Sequence, residues 1–355
     1  MTASTSTTPS APAPRLGALV GSEFLRARSR RSVLWLPLLA VLAVAGTAAI
    51  MWFSTAHLTQ ERLDSAAQSF LAEQQLYYDQ CIADTDLSEA ERDEFCWQPS
   101  AEDARSNAIW SLDRRPFDQG ALEGLLVLGG GIGLLAALLL AATTGAADWG
   151  ARTMGLLLSW EPRRTRVFAV RLAVAMTIGL VVEALLVVLA LGLGAVIAGS
   201  HGIDPSVPSS ALGDSYAAAD LGAGLQRALR GLPLGALAAA GSFSVAMLTR
   251  STGWAIGASI GFVTIVETVV RPLWPWATQW LIQTNLAAWL TGGSTVMVDP
   301  GAAQLDNTFA PEVEVESVPA GFLLITDTRA LATLTVIAAT GVVLGWITFR
   351  RGDVE

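Results

Sequence analysis

The side chains with reactive chemistry are few in this chain, and they exclude the common catalytic sites. Cys81 and Cys96 are its only cysteines, and His57 and His201 are its only histidines. Such a set cannot supply an H-E-x-x-H or a double CxxC motif, so no metal centre is expected. No Ser-His-Asp or Cys-His arrangement is visible. We therefore expect that the chain is not an enzyme.

Lysine is missing altogether, since all 22 basic residues are arginine. A P-loop uses a lysine to hold the β- and γ-phosphates of a nucleotide, so this chain cannot contain a standard P-loop. Schiff-base catalysis also needs a lysine amine and is excluded. A GC-rich genome would produce the same bias, but the exclusions hold whatever its origin.

Glu183 and Glu267 are acids inside long apolar stretches. Acids within a membrane are costly and functional by default, so both are candidates for lining a substrate pathway. Simpler explanations stay open. Glu183 would form a buried hydrogen bond to a neighbouring helix, and Glu267 would pair with Arg271, four residues later on the same helix.

The composition requires a membrane around these residues. Of 355 residues, 52% are hydrophobic and 15% are charged, whereas a soluble domain has about 25% charged residues. Six apolar runs are long enough to cross a bilayer as helices. The predicted fold is therefore an all-α polytopic membrane protein with six transmembrane helices. The predicted spans are 33–53, 121–147, 170–199, 229–249, 253–271 and 328–349.

Two segments precede the first span. Residues 1–14 are rich in Thr, Ser, Pro and Ala, which predicts a disordered tail. Residues 15–32 contain five arginines and predict an amphipathic helix lying on the membrane surface. Its apolar face is formed by Leu16, Val20, Phe24 and Ala27. A secretory signal is the alternative, but its apolar core would be about 7–15 residues, shorter than the run 33–53.

The distribution of arginine predicts the orientation. Thirteen of the 22 arginines lie in 15–31, in 152–171, at Arg250 and in the tail 350–355. By the positive-inside rule this side is cytoplasmic, and both termini lie on it. The expected location of the chain is the plasma membrane. Arg227 and Arg230 do not follow the rule, but long side chains snorkel at an interface.

The opposite side then holds a predicted acidic ectodomain at 54–120. It has 14 acids and five arginines, so it accounts for the whole net charge of −9. Short helices are predicted here, with capping-box spacing at Ser100–Asp103. Because this segment is predicted to lie on the oxidising side of the membrane, Cys81 and Cys96 are expected to form a disulfide, which would stabilise the fold by about 3 kcal/mol. The bond would be either purely structural or a redox switch.

Two further outer segments are predicted, a loop at 200–228 and a segment at 272–327. The second begins with Pro272, Trp274 and Trp276 and is too irregular for a span yet too apolar for a free loop. We expect a hairpin or short helices in the outer interface, with Trp in the aromatic belt and an acidic loop at 299–319.

Gly253, Gly257 and Gly261 form a double GxxxG pattern in the fifth span, and Gly129 and Gly133 repeat the pattern in the second. Small residues at this spacing let helix backbones approach closely. The expectation is tight packing within the subunit.

The loop 148–169 has an acid, an Arg-Thr pair, an apolar turn over 154–160 and then Glu-Pro-Arg-Arg. A helix over Thr153–Trp160 is predicted, flanked by charges that would dock a partner. The alternative is that its arginines only satisfy the positive-inside rule and bind lipid phosphates. The candidate docking residues are Asp148, Arg152, Thr153, Glu161, Pro162, Arg163 and Arg164.

In this loop the sequence resembles the ABC-2 family of transporter permeases. The terminal Phe349–Asp353 and the segment Pro272–Gly293 are similar to two further features of that family. The resemblance implies that the loop contains a coupling helix docking on an ATP-binding subunit, and that span five is a pathway-lining or dimer-facing helix. Departures are the inserted Gly352, Arg171 in place of Lys, Asp148 in place of Glu, Arg152 in place of Gly, and an enlarged first outer loop.

The expected function is thus the permease subunit of an ATP-driven exporter, paired with a second copy or a paralogue. No cofactor is expected on this chain. ATP and Mg²⁺ would bind the partner ATPase, and no nucleic acid is involved. The alternatives are a proton-coupled secondary transporter using Glu183 and a non-transporting membrane sensor. The sequence does not identify the substrate; the acidic ectodomain would attract cations or basic peptides, but solubility explains its charge equally well.

Overall fold

The structure is a computed structural model that describes residues 16–84, 88, 95–208, 212, 216–301 and 321–351. The predicted tail 1–14, most of the loop 299–319 and residues 352–355 lie outside this part of the chain. The described protein is an all-α polytopic membrane protein, as the sequence predicts. Its six candidate spans, numbered in chain order, are Arg31–Ser54, Gln119–Gly150, Arg164–His201, Leu221–Thr249, Thr252–Leu273 and Asp327–Arg351.

The chain divides into two compact units. The first unit contains residues 1–40, 132–185 and 229–355, and the second contains 41–131 and 186–228. The core of the first unit includes Met154, Phe168, Phe243 and Phe349. A core of the second unit combines residues between spans one and two with residues after span three, and it is described next.

The described part of the 54–120 domain, in the second unit, contains one long and one short helix. Its helices are Gln60–Ala83 and Ala101–Asn107, the latter followed by a 3-10 turn at Ala108–Ser111. The Ser100 hydroxyl accepts a hydrogen bond from the Asp103 amide at 3.0 Å, as its capping-box spacing predicts. Cys81 and Cys96 form the predicted disulfide.

Part of the predicted loop 200–228 completes the core of the 54–120 domain. Val207 and Leu212 are buried with Leu58, Leu63 and Ile109. A backbone hydrogen bond also links the two segments, from the Leu58 amide to the Gly202 carbonyl at 3.0 Å. A domain of this size needs more than its own apolar surface, and the later segment supplies it.

The Trp-rich segment after span five folds as short elements, as predicted, but it closes with a sheet that the sequence did not predict. A 3-10 turn at Pro275–Trp280 leads to a helix, Ile282–Thr291, which we call the Trp-rich helix after the segment that contains it, although it has one tryptophan, Trp289. Gly292 ends this helix in the left-handed conformation, at φ 87°. Strand β1 (Gly293–Met297) then pairs antiparallel with β2 (Phe322–Thr326).

Close helix packing through small residues occurs in spans two, three and four rather than in span five. A Cβ built on Gly179 would lie 2.5 Å from the Gly235 carbonyl oxygen, so spans three and four touch there through their backbones. By contrast, Gly253, Gly257 and Gly261 have nothing within 4 Å of a built Cβ in the part of the chain that is described. Among the described residues, these three glycines therefore do not make the tight packing that was expected within the subunit.

Candidate functional site

The loop after span two contains a short helix, Met154–Trp160, hereafter the loop helix. Arg152 makes the reversal into it, with φ 56° in the left-handed region that L-residues seldom adopt. Thr153 then stands at the N-cap position. The helix ends at Trp160 with Glu161 as its C-cap, and Pro162 follows, which has no amide hydrogen to continue the helical hydrogen bonds.

The loop helix has one buried and one exposed apolar face. Met154 and Leu157 are buried in the core of the first unit, against Val167 and Phe168. On the other face Leu156 is 65% exposed and Trp160 is 80% exposed. Because Leu156 and Trp160 are four residues apart, they form one continuous apolar surface.

Beneath the loop helix lies a buried ion-pair cluster of Glu23, Arg30, Asp148 and Arg171. The Arg171 guanidinium lies 2.6 Å from Asp148 Oδ2 and 3.8 Å from Glu23 Oε2, and its side chain is 3% exposed. Arg30 Nη2 donates to Asp148 Oδ1 at 3.0 Å. Arg26, which is 44% exposed, also pairs with Glu23 at 2.9 Å. Each buried acid of the cluster thus faces an arginine, which is the condition under which buried charges are tolerated.

The ion-pair cluster also fixes backbone at the end of span two. Arg171 Nη2 donates to the Thr144 carbonyl at 2.7 Å, and Arg30 Nη1 donates to the Thr143 carbonyl at 2.8 Å. The ion pairs and these hydrogen bonds together join four parts of the chain around Asp148. These are the N-terminal helix (Leu16–Ser29), its junction with span one, span two and span three. The N-terminal helix directs Leu19, Glu23 and Ala27 inward and leaves part of its predicted apolar face exposed.

The structure separates the predicted docking residues into two groups. Asp148 belongs to the ion-pair cluster, and Glu161 is buried and paired with Arg166 at 3.1 Å, so neither carboxylate is available to a partner. Arg164 donates to the Phe349 and Arg350 carbonyls. The exposed members are Arg152, Thr153, Pro162 and Arg163.

Span six is tied to the same region by its last residues. Phe349 is buried, and its ring lies 5.9 Å from that of Phe168 and 6.3 Å from that of Trp149, measured between centroids. Arg250, between spans four and five, lies over the Trp149 ring at 4.5 Å. A cavity of about 330 Å³ opens beside the loop helix, lined by Arg26, Asp148, Thr153, Leu156, Leu157 and Trp160.

Glu183 is buried between glycines of two other spans. A Cβ on Gly235 would lie 2.5 Å from the Glu183 Cβ, and a Cβ on Gly133 would collide with its carboxylate. Among the described residues, Glu183 Oε2 has no hydrogen-bond partner. The hydrogen bond to a neighbouring helix, which was the simpler explanation, is therefore not made by this atom.

Glu267 has a structural role that differs from both sequence-based interpretations. Its two carboxylate oxygens accept hydrogen bonds from the Ile282 and Gln283 amides, at 2.6 and 2.8 Å. It is thus the cap of the Trp-rich helix, where a negative charge also favours the helix dipole. Within the described residues the Glu267 carboxylate makes these bonds and no ion pair with Arg271, which corrects the pairing expected from their spacing.

Sequence reasoning missed Leu156 and Trp160 as the exposed surface, and it missed Glu23 and Arg30 as partners of the loop. The spacing of Leu156 and Trp160 was a usable signal, because an apolar pair four residues apart in a seven-residue helix must share a face. No sequence signal joins Arg30 to Asp148. No family model, curated protein or solved structure matches the chain.

Proposed function

We propose that this chain is the permease subunit of an ATP-driven transporter of the ABC-2 type, and that it docks on a separate ATP-binding subunit through the loop helix. The supporting observation is the exposed pair Leu156 and Trp160 on a short helix whose opposite face is buried. Tryptophan and arginine are enriched among the energetic centres of protein interfaces, and Arg152 and Arg163 are exposed near the two ends of the loop helix. Because the chain has no lysine and hence no standard P-loop, nucleotide hydrolysis belongs to the partner.

The ion-pair cluster suits the loop helix to transmit movement. A helix transmits movement only if its attachment to the rest of the protein is rigid. Asp148, just before the loop helix, is held by ion pairs with both Arg30 and Arg171. Displacement of the loop helix by a closing ATPase would pass to spans two and three through the chain, and to span six through Phe349. Rocking of membrane helices in this way alternates access to the two sides, and export is the direction we propose.

The orientation follows from the same proposal. The loop helix faces the cytoplasm, where ATP is available, and the 54–120 domain faces the outside. The Cys81–Cys96 disulfide supports this placement, since such bonds persist in oxidising surroundings.

A second copy or a paralogue of the permease completes the transporter in this proposal. Span five is the surface that we assign to the contact, because Gly253, Gly257 and Gly261 have no neighbour within the described chain. A stripe of glycines lets a second helix approach to backbone contact, whereas lipid chains would fill it poorly.

The experiment combines this chain with the ATPase that co-purifies with it, in lipid nanodiscs. Replacing Leu156 and Trp160 together by Ala should abolish stimulation of ATP hydrolysis by the permease and release the ATPase on gel filtration. Trp35→Ala is the matched control, since Trp35 is also an exposed tryptophan, in span one. Full stimulation by the Leu156/Trp160 double variant would refute docking through the loop helix.

A proton-coupled secondary transporter is the second candidate, and one observation favours it. Glu183 Oε2 is buried without a hydrogen-bond partner in the described residues, as a proton-carrying carboxyl would be between transfers. Under this alternative Glu183→Gln stops transport driven by a proton gradient, and ATP has no effect. Under the ABC-2 proposal transport requires ATP and survives collapse of the gradient.

A further inference from the structure

The 54–120 domain carries an exposed aromatic patch around its disulfide. Tyr77 is 71% exposed, Phe95 is 65% exposed and Trp97 is 76% exposed, and Leu76 and Ile82 are exposed beside them. The Cys81–Cys96 bond brings the Cα atoms of the two cysteines within 5.7 Å, so it joins the two pieces of chain that carry these side chains. We call Leu76, Tyr77, Ile82, Phe95 and Trp97 the tip patch.

Lipid does not explain the exposure of the tip patch. The many exposed apolar side chains of this protein lie mostly in the six spans, where they would contact lipid, but the tip patch lies outside all six. Side chains 72–77 of the long helix are all exposed, although Leu63 and Ala66 of the same helix are buried. All five side chains lie within five positions of a disulfide-bonded cysteine. A group of exposed apolar side chains of this kind outside the spans marks an interaction site.

The charge around the tip patch selects the occupant. From position 63 to position 97 the sequence has nine acids and one arginine, and the 54–120 domain has a net charge of −9. A second copy of the domain would bring the same charge and be repelled, and so would anionic lipid headgroups. A partner with cationic and apolar side chains on one surface satisfies both the charge and the exposed rings.

We propose that the tip patch is a binding surface for cationic amphipathic peptides. The aromatic rings contact the apolar face of the peptide, and the acids of the long helix, such as Glu73 and Asp79, attract its basic residues. Cation–π contacts of those basic residues with Trp97 add to the binding. The disulfide is part of the site because it fixes Cys96, between Phe95 and Trp97, to Cys81 of the long helix. This binding does not depend on whether the chain transports the peptide.

The test uses the full chain in nanodiscs of zwitterionic lipid and a fluorescent helical peptide of Lys and Leu, about 18 residues or five turns long. Binding to empty nanodiscs is subtracted. The peptide should bind, its Glu/Leu counterpart should not, and oligolysine should bind at least tenfold more weakly. Raising the salt from about 0.1 M to about 1 M should weaken binding, because the Debye length falls from about 10 Å to about 3 Å.

Variants locate the site. Replacing Tyr77, Phe95 and Trp97 together by Ser should weaken binding at least tenfold, and these exposed side chains can be changed without disturbing the core. The control variant Trp35→Ala/Phe53→Ala removes two exposed aromatic residues of span one and should bind as the parent does. Reduction of the disulfide should also weaken binding.

Three outcomes would overturn the proposal. The first is unchanged affinity in the triple variant, and the second is equal binding of the Glu/Leu peptide. The third is a different occupant. Conversion of a dimer to a monomer by the triple variant would assign the tip patch to a second copy, and quenching of Trp97 fluorescence by brominated lipid would assign it to the bilayer.

Discussion

Removing the Asp148 carboxylate should destabilise the first unit more than removal of an exposed carboxylate does. In Asp148→Asn the side chain keeps its size but loses its charge. Arg171, at 3% exposure, then keeps Glu23 at 3.8 Å as its acid partner among the described residues, and Arg30 loses its carboxylate partner. Breaking a buried pair by removing one partner costs about 3–5 kcal/mol, mainly because the remaining charge cannot be hydrated.

The two arginines contribute unequally to the expected loss of stability in Asp148→Asn. Arg30 is 20% exposed and can recover some hydration, whereas Arg171 cannot. Most of the expected cost therefore comes from Arg171. Replacing the pair together, as Asp148→Asn with Arg171→Met, removes the stranded charge. This double variant should be more stable than Asp148→Asn alone.

The assay is SDS-induced unfolding in mixed micelles, followed by tryptophan fluorescence, for the parent, both single variants and the double variant. Asp64→Asn is the matched control, because Asp64 pairs with Arg105 at 2.9 Å but both side chains are exposed. It should leave the transition nearly unchanged. The reasoning fails if Asp148→Asn behaves like Asp64→Asn, or if the costs of the two single changes simply add.

Three further predictions address other parts of the chain. Glu267→Gln should speed hydrogen exchange at the first amides of the Trp-rich helix and cost about 1–2 kcal/mol, the usual range for a lost cap; exchange rates equal to the parent's would contradict the capping role. Gly257→Leu should weaken the dimer, measured by single-molecule photobleaching, whereas Ala258→Leu beside the stripe should not; an equal effect of the two changes would remove span five from the interface. The hydrogen bond from Arg105 holds the pKa of the Asp64 carboxyl below its ordinary value of 3.8. The stabilisation of the fold by the Asp64–Arg105 pair is therefore complete above pH 3.8 and is lost as the pH falls through the folded-state pKa. NMR titration of Asp64 in the Arg105→Gln variant should show a higher pKa than in the parent, and an unchanged pKa would exclude Arg105 as the cause.

Local sequence patterns predict the elements of this fold well because the membrane imposes them. Each predicted span lies within one long helix, since lipid leaves an apolar segment no other way to satisfy its backbone. The loop helix follows from an apolar turn ended by Pro162. The disulfide follows from two cysteines alone in one polar segment.

Contacts between distant segments were not predictable in this way. Arg30 and Asp148 are 118 residues apart, and many other arginines had an equal claim on the same acid. Glu267 has the spacing of an ion pair with Arg271, but a nearby helix start offered two unpaired amides, which a carboxylate satisfies better. The apolar residues of 203–216 have no periodicity and predict a loop, yet Ile203, Val207, Leu212 and Tyr216 of this segment pack in a core.

The contact that carries the proposed function is the one between Trp160 and an ATP-binding subunit. Replacing Trp160 by p-benzoylphenylalanine in the full-length chain, in its native membranes, allows photocrosslinking from that one position, and the same replacement of Trp35 is the control. The account predicts one crosslinked partner from position 160 that is labelled by azido-ATP and hydrolyses ATP, and no such partner from position 35. Crosslinks from position 160 to lipid alone, or to proteins that bind no nucleotide, would contradict it.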